Sequence, residues 1–139
     1  TSAGAGYDLY DRQDSLFLLE GTPAGTHDVA AVQQALQQQV QRLKDKPVAA
    51  DELARVKSRV VADAVYEQDS VFYQAMQMGM LETVGVGWQK LDEYPDRIRA
   101  VTAEQVQAVA RKYLVNDGLT VAVLEPQSLT DKSLARAEH

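Results

Sequence analysis

The sequence predicts an α+β domain in which helices pack on one face of a mixed or antiparallel sheet. Three observations predict this class. Short β-prone runs come first, a long middle region carries apolar residues at helical spacing, and an apolar, β-branched run closes the pattern at residues 119–124. Only about three strands are visible, so we expect a sheet that is truncated on its N-terminal side and has an open edge.

The first predicted element is a hairpin. Residues 7–10 and 16–20 are β-prone or apolar, and the polar residues 11–15 between them suit a connection. Pro23 lacks the N–H that a strand ladder needs, and it lies between Gly21 and Gly25. We therefore expect the second strand to end before Pro23.

Two long helical patterns follow. In residues 28–45 the apolar positions are three or four apart and form one stripe: Val29, Val32, Leu36, Val40 and Leu43. Lys46 and Pro47 end this helix. The second pattern begins near Ala50 and reaches to about Thr83, with an apolar face made by Leu53, Val56, Val60 and Ala64.

Gly85 and Gly87 interrupt the helical pattern, and residues 88–94 fit a short helix, with Pro95 in or just before a further turn. Thr102 is predicted to cap the last helix, which runs to Leu114. Gln105 lies three residues beyond this cap and can complete a capping box, while Val101 can pack onto Val106 as a staple.

The end of the chain divides into a turn, a strand and a tail. Residues 116–118 have turn chemistry, and the apolar run 119–124 predicts a buried strand that ends at Pro126. The residues beyond are polar. We therefore assign residues 1–126 to one α+β unit and residues 127–139 to a flexible tail.

Composition argues against several classes of function. The net charge is −6 with both signs interspersed, so no basic stripe favours nucleic acid. The chain has no cysteine, which excludes thiol catalysis, thiolate metal sites and disulfides. No run approaches the roughly 18 apolar residues of a membrane span. Composition leaves the compartment, periplasmic or cytoplasmic, undetermined.

The sequence offers no catalytic, cofactor-binding or metal-binding residue. Zinc hydrolases hold the metal with several protein ligands, and here only His27 and His139 carry imidazole, neither with a partner histidine four residues away. Gly4 and Gly6 form a lone G-x-G, and neither a P-loop nor a G-x-S-x-G elbow occurs.

Two other groups of residues have ordinary explanations. The carboxylates on the second helical pattern are expected on a solvated face: Asp51, Glu52, Asp63, Glu67 and Asp69. Met76, Met78 and Met80 could form a contact surface for a partner, but methionines close to Phe72 and Leu81 more often fill gaps in a core. We favour the core interpretation.

Several stretches occur in an order typical of one family: ELARVK (52–57), SVFYQAM (70–76), IRAVTAEQV (98–106), ARKYL (110–114) and LTVAVLEP (119–126). Together they resemble the C-terminal domain of pitrilysin/insulinase-type zinc metallopeptidases, the group that includes mitochondrial processing peptidase and the core proteins of the bc1 complex. The resemblance covers about residues 1–126. No single stretch is diagnostic, but the order is more specific than its parts.

The resemblance implies a two-domain enclosure whose N-terminal domain binds zinc through H-x-x-E-H and a distant glutamate. This motif is absent from the sequence. An arginine and a tyrosine seven residues apart, which hold substrate in the family, are expected just upstream of Thr1. Arg59 and Tyr66 have this separation, but they lie in a predicted helix, so we give them no such role.

The sequence therefore predicts a C-terminal structural and chamber-forming segment of a zinc peptidase, which is inert by itself. Its expected partners are the N-terminal metal-binding domain and, through the complete enzyme, peptide substrates. The resemblance favours a periplasmic location. Homodimers or strand exchange through the open sheet edge are also expected. Two alternatives remain: a stand-alone interaction module that uses the glutamine-rich first helix and the methionines, and a domain of a catalytically inactive homologue.

Overall fold

The computed structural model describes residues 2–125 and has an α+β fold. The chain begins with an antiparallel pair of strands, β1 (Ser2–Gly6) and β2 (Leu18–Thr22), in which Ser2 pairs with Thr22 and Gly6 with Leu18. Helices make up the rest of the regular structure, with a 3₁₀ turn at Asn116–Gly118: α1 (Val29–Asp45), α2 (Ala50–Glu67), α3 (Val71–Thr83), α4 (Lys90–Ala100) and α5 (Ala103–Tyr113). The coarse class predicted from the sequence is confirmed.

The strand positions differ from the prediction. Residues 7–10 are not a strand; they belong to the connection that spans residues 7–17, and β1 lies upstream of them. The small residues of β1 form the ladder because strand pairing is made by backbone groups, which do not require β-prone side chains. Tyr10 is therefore not part of the sheet, and it lies beside residues of the helices.

The predicted closing strand is also wrong within the described residues. Residues 119–125 have no regular structure, and the described sheet contains only β1 and β2. A strand needs a partner ladder, and the run 119–124 is paired with no described strand. Its predicted end at Pro126 and the predicted tail 127–139 lie outside the described residues.

The first helix confirms the prediction. Asp28 caps α1, because its side chain accepts a hydrogen bond from the backbone N–H of Ala31 at 2.8 Å. Four members of the predicted stripe are half-buried, Val32, Leu36, Val40 and Leu43, whereas Val29 is exposed. The stripe is therefore the packing face of this helix.

The second helical pattern is two helices rather than one. Helix α2 ends at Glu67. Ser70 is the N-cap of α3, and its side chain accepts a hydrogen bond from the backbone N–H of Tyr73 at 3.2 Å. Gln74 fixes the turn between them through a bond from its side-chain nitrogen to the carbonyl of Gln68 at 2.5 Å. Local hydrogen bonding by Ser70 competes with helix continuation and explains the break.

Pro95 lies inside α4, where the prediction placed a helix end. A proline in this position removes one intrahelical hydrogen bond. Ion pairs span the same turn and support the helix: Glu93 pairs with Lys90 at 2.5 Å and with Arg97 at 2.8 Å, and Asp96 pairs with Arg99. The charged side chains therefore favour one continuous helix through the proline.

The last helix begins as the sequence predicts. The hydroxyl of Thr102 accepts a bond from the N–H of Gln105 at 3.2 Å, and the Gln105 side chain accepts one from the N–H of Thr102 at 2.9 Å. Both halves of the capping box are present.

The helices are held together by side chains that reach the ends of their neighbours. Arg111 and Gln107 on α5 donate to the carbonyl of Lys44 at the end of α1, at 2.6 and 3.0 Å. A similar contact joins α2 and α4, where Lys57 of α2 donates to the carbonyl of Arg99 at the end of α4, at 2.8 Å. These bonds satisfy carbonyls that a helix end leaves free.

The apolar core is very small. Among the described residues only Leu81 on α3 and Ala110 on α5 are buried, at 0% and 3% exposure. The whole chain exposes 11566 Å², against roughly 7,100 Å² expected for a compact protein of its mass. Large apolar side chains are exposed in several of the described segments, such as Leu16 at 75% and Phe72 at 78%. The described part therefore leaves much apolar surface uncovered.

The contact between α1 and the sheet depends on Gly21. A Cβ atom at Gly21 would overlap Cγ1 of Val32 and lie 3.5 Å from Cδ1 of Leu36. The valine cannot easily move away, because β-branched side chains are stiff in a helix. The absence of a side chain at Gly21 is what permits this close packing of α1 against β2.

We expect Gly21→Ala to destabilise the chain by roughly 1–3 kcal/mol, because the added methyl forces α1 away from β2. Urea unfolding followed by circular dichroism measures this loss. Gly4→Ala is the matched control, since nothing lies within 4 Å of a Cβ at that position of the neighbouring strand. Equal stabilities of the two variants would contradict the packing role of Gly21.

Candidate functional site

A cleft of about 420 Å³ lies between the end of α2, the face of α3 and the start of α4. Four aromatic side chains line it, and we call it the aromatic cleft: Tyr10, Tyr73, Trp88 and Tyr94. Its volume is within the range of small-ligand sites. No basic side chain lines it, whereas Glu67 and Asp92 both do.

Three separate elements place the aromatic rings. Tyr10 comes from the connection between the strands, Tyr73 from the first turn of α3, and Tyr94 from α4. Gly85 and Gly87 both have positive φ, at 80° and 86°, and turn the chain sharply between α3 and α4. This turn brings Trp88 to the cleft, and the backbone N–H of Trp88 donates to the carboxylate of Glu82 at 2.9 Å.

Two of the tyrosines have altered acidity. Burial raises the pKa of Tyr73, and a hydrogen bond to the nearby Glu67 carboxylate raises it further, whereas a hydrogen bond to Gln77 acts in the opposite direction. Burial likewise raises the pKa of Tyr94, with smaller contributions from Tyr10, Glu67 and Tyr73. Tyr73 and Tyr94 therefore stay neutral hydroxyls at physiological pH and present no negative charge of their own.

Of the described residues that the sequence analysis weighs for a functional role, only Glu67 and Met78 line this cleft. His27 is exposed near the start of α1, and His139 lies outside the described residues. Arg59 and Tyr66 lie in α2, as predicted, with Arg59 paired to Asp63 at 3.8 Å. Gly4 and Gly6 lie in β1.

The core interpretation of the methionines is wrong for the described chain. Met76, Met78 and Met80 are all exposed, from 39% to 48%. Helical spacing alone does not distinguish a buried face from an exposed face, because burial requires another element to cover the face, and no described element fully covers these methionines. Met78 also lines the aromatic cleft.

The donor set of the described residues does not fit zinc. No group of three or more histidine, cysteine, aspartate or glutamate side chains converges within residues 2–125. A zinc site needs such a convergence around one point. No step of zinc chemistry is therefore assigned to the side chains of this segment.

No helix between residues 2 and 125 combines the length and apolarity required to cross a lipid bilayer.

No protein-family model matches the sequence, and no curated protein is significantly similar to it. The resemblance to pitrilysin/insulinase-type peptidases therefore remains a prediction that rests on the order of the sequence motifs.

The sequence gives no local signal for the aromatic cleft. Its rings come from residues 10, 73, 88 and 94, which are spread over more than half of the chain and share no motif. The sequence predicts a solvated face for Glu67, whereas in the structure Glu67 ends α2 and lines the cleft. A tertiary arrangement of this kind follows from how the helices pack.

Proposed function

We propose that this chain is a C-terminal structural segment of a zinc-dependent peptidase, in which it forms part of the wall of the substrate chamber. The order of the five sequence stretches supports the family. The observation that carries the proposal is the near absence of buried apolar residues, since only Leu81 and Ala110 are buried in residues 2–125. A segment that completes its core against other parts of a protein is expected to have this property.

The finer fold in this proposal is the mitochondrial-processing-peptidase-like metallohydrolase fold. In it, β1 and β2 belong to a larger mixed or antiparallel sheet, and the run 119–124 becomes one of its strands. The exposed apolar side chains of this run support such a role: Leu119, Val121, Val123 and Leu124. Partner strands would supply the ladder that this run lacks among the described residues.

The zinc ligands and the catalytic glutamate of the proposed enzyme belong to an N-terminal domain, and the substrate-holding arginine and tyrosine lie upstream of Thr1. The described residues contribute packing and a surface.

The test is to determine the roughly 300 residues that precede Thr1 in the reading frame, a span set by ordinary domain sizes. We expect H-x-x-E-H there, and we expect the extended polypeptide to bind one zinc ion and cleave peptides. Replacement of the first histidine of that motif by alanine should abolish both zinc binding and cleavage. The 139-residue chain, tested in parallel, should do neither.

Different results would contradict different parts of the proposal. An upstream region without the motif, in a protein that binds no zinc, would identify a catalytically inactive homologue. Stoichiometric zinc binding or peptide cleavage by the 139-residue chain alone would overturn the assignment of an inert segment.

A second candidate function, a stand-alone interaction module, is favoured by the exposure of Met76, Met78 and Met80. Flexible methionines form adaptable protein contacts. A natural start codon directly before Thr1 would support this alternative and count against the peptidase.

A further inference from the structure

The aromatic cleft has two carboxylates and no positive charge to balance them. Glu67 and Asp92 line it, and neither forms an ion pair with a basic residue in the part of the chain that the structure describes. The nearby cations of α4, Lys90 and Arg97, are both paired with Glu93. The cleft is therefore a region of negative potential in a chain that is already acidic.

The aromatic rings add a second, independent attraction for a cation. The faces of tryptophan and tyrosine rings carry partial negative charge and bind ammonium and guanidinium groups. Four such rings line the same cleft as the two carboxylates. The aliphatic part of a lysine or arginine side chain also gains from apolar contact with Leu9 and Leu91, which line the cleft.

We infer that the aromatic cleft binds a lysine or arginine side chain of a protein partner, with Glu67 and Asp92 as counter-ions and the aromatic rings as its walls. Charge complementarity selects the class of ligand. Exposed apolar residues that line the cleft select a protein over a small cation: Leu9 and Met78 are 56% and 39% exposed. They offer contact to the residues that flank the bound side chain.

This inference is independent of the peptidase proposal, because it needs only the cleft and its charges. An interaction module or an inactive homologue would keep the same site. The experiment measures peptide binding, so a negative result leaves the proposed function unaffected. Failure of the proposed function likewise leaves this inference unaffected.

The chain contains a single tryptophan, Trp88, and it lines the cleft, so its fluorescence reports on the site directly. The probe is a blocked tripeptide, acetyl-Ala-Arg-Ala-amide, titrated into the 139-residue chain at low salt. Its control replaces arginine by citrulline, which has nearly the same shape without the charge. We expect the arginine peptide to bind about tenfold more tightly, as the loss of a charge-assisted hydrogen bond implies.

Variants of the protein complete the test. Glu67→Gln and Asp92→Asn should each weaken binding of the arginine peptide by about tenfold and leave binding of the citrulline peptide unchanged. Glu20→Gln is the matched control, since it removes one negative charge from an exposed carboxylate on β2. Circular dichroism verifies that the variants keep their helices.

The outcomes are distinguishable. Equal affinities for the arginine and citrulline peptides, or no change in Trp88 fluorescence with either, would overturn the inference even if no variant could be purified. Binding of spermidine without binding of the arginine peptide would show a small-cation site and overturn the assignment to a protein partner. Loss of binding in Glu20→Gln as large as in Glu67→Gln would show attraction by overall charge alone.

Discussion

Replacement of Leu81 by alanine is expected to destabilise the chain by about 2–5 kcal/mol, the largest effect of any single substitution considered for this protein. Leu81 is the one large side chain with no exposed surface among the described residues. Its carbonyl also accepts hydrogen bonds from the N–H groups of Val86 and Gly87, at 3.0 and 3.3 Å. These hydrogen bonds therefore connect the end of α3 to the turn that precedes Trp88.

Urea unfolding followed by circular dichroism measures this effect. The matched control is Leu16→Ala, which removes the same atoms from a side chain that is 75% exposed and should change stability by less than about 0.5 kcal/mol. Leu81→Met keeps most of the volume and should cost less than about 1.5 kcal/mol. If Leu81→Ala and Leu16→Ala proved equally stable, the packing around Leu81 would not be what holds α3.

The sequence predicts those elements whose signals are local. The start of α1 follows from Asp28 and the apolar stripe beyond it, and the start of α5 follows from the capping box of Thr102 and Gln105. In both cases side chain and backbone interact within one turn. Such interactions form in the same way whatever the rest of the chain does.

The elements that were predicted wrongly depend on distant partners. Residues 119–124 have the composition of a buried strand, but composition cannot supply the strand beside which they would lie. In the same way, the pairing of Ser2 with Thr22 is decided by backbone groups far apart in sequence. Met76, Met78 and Met80 are exposed for a related reason, since a face is buried only where another element covers it.

The uncovered surface also predicts how the chain behaves in solution. We expect the 139-residue chain to form dimers or larger species with increasing concentration, through the run 119–124. Its alternate residues Leu119, Val121 and Val123 are each about half exposed. An apolar run without a ladder partner is a template for pairing with a second chain.

Val121→Lys combined with Val123→Lys should weaken this association by at least roughly tenfold, because each replacement removes about 1.5 kcal/mol of apolar burial and introduces charge at the contact. The matched control is Gln34→Lys combined with Gln38→Lys on the exposed face of α1, which makes the same change in net charge. Sedimentation velocity over a series of concentrations measures the effect. A wild-type chain that stays monomeric at the highest concentration would contradict the prediction, and equal association of the two lysine variants would place the contact elsewhere. Because the same run is proposed to become a strand of a larger sheet, the extended polypeptide should be monomeric through this surface, and only the isolated chain should associate.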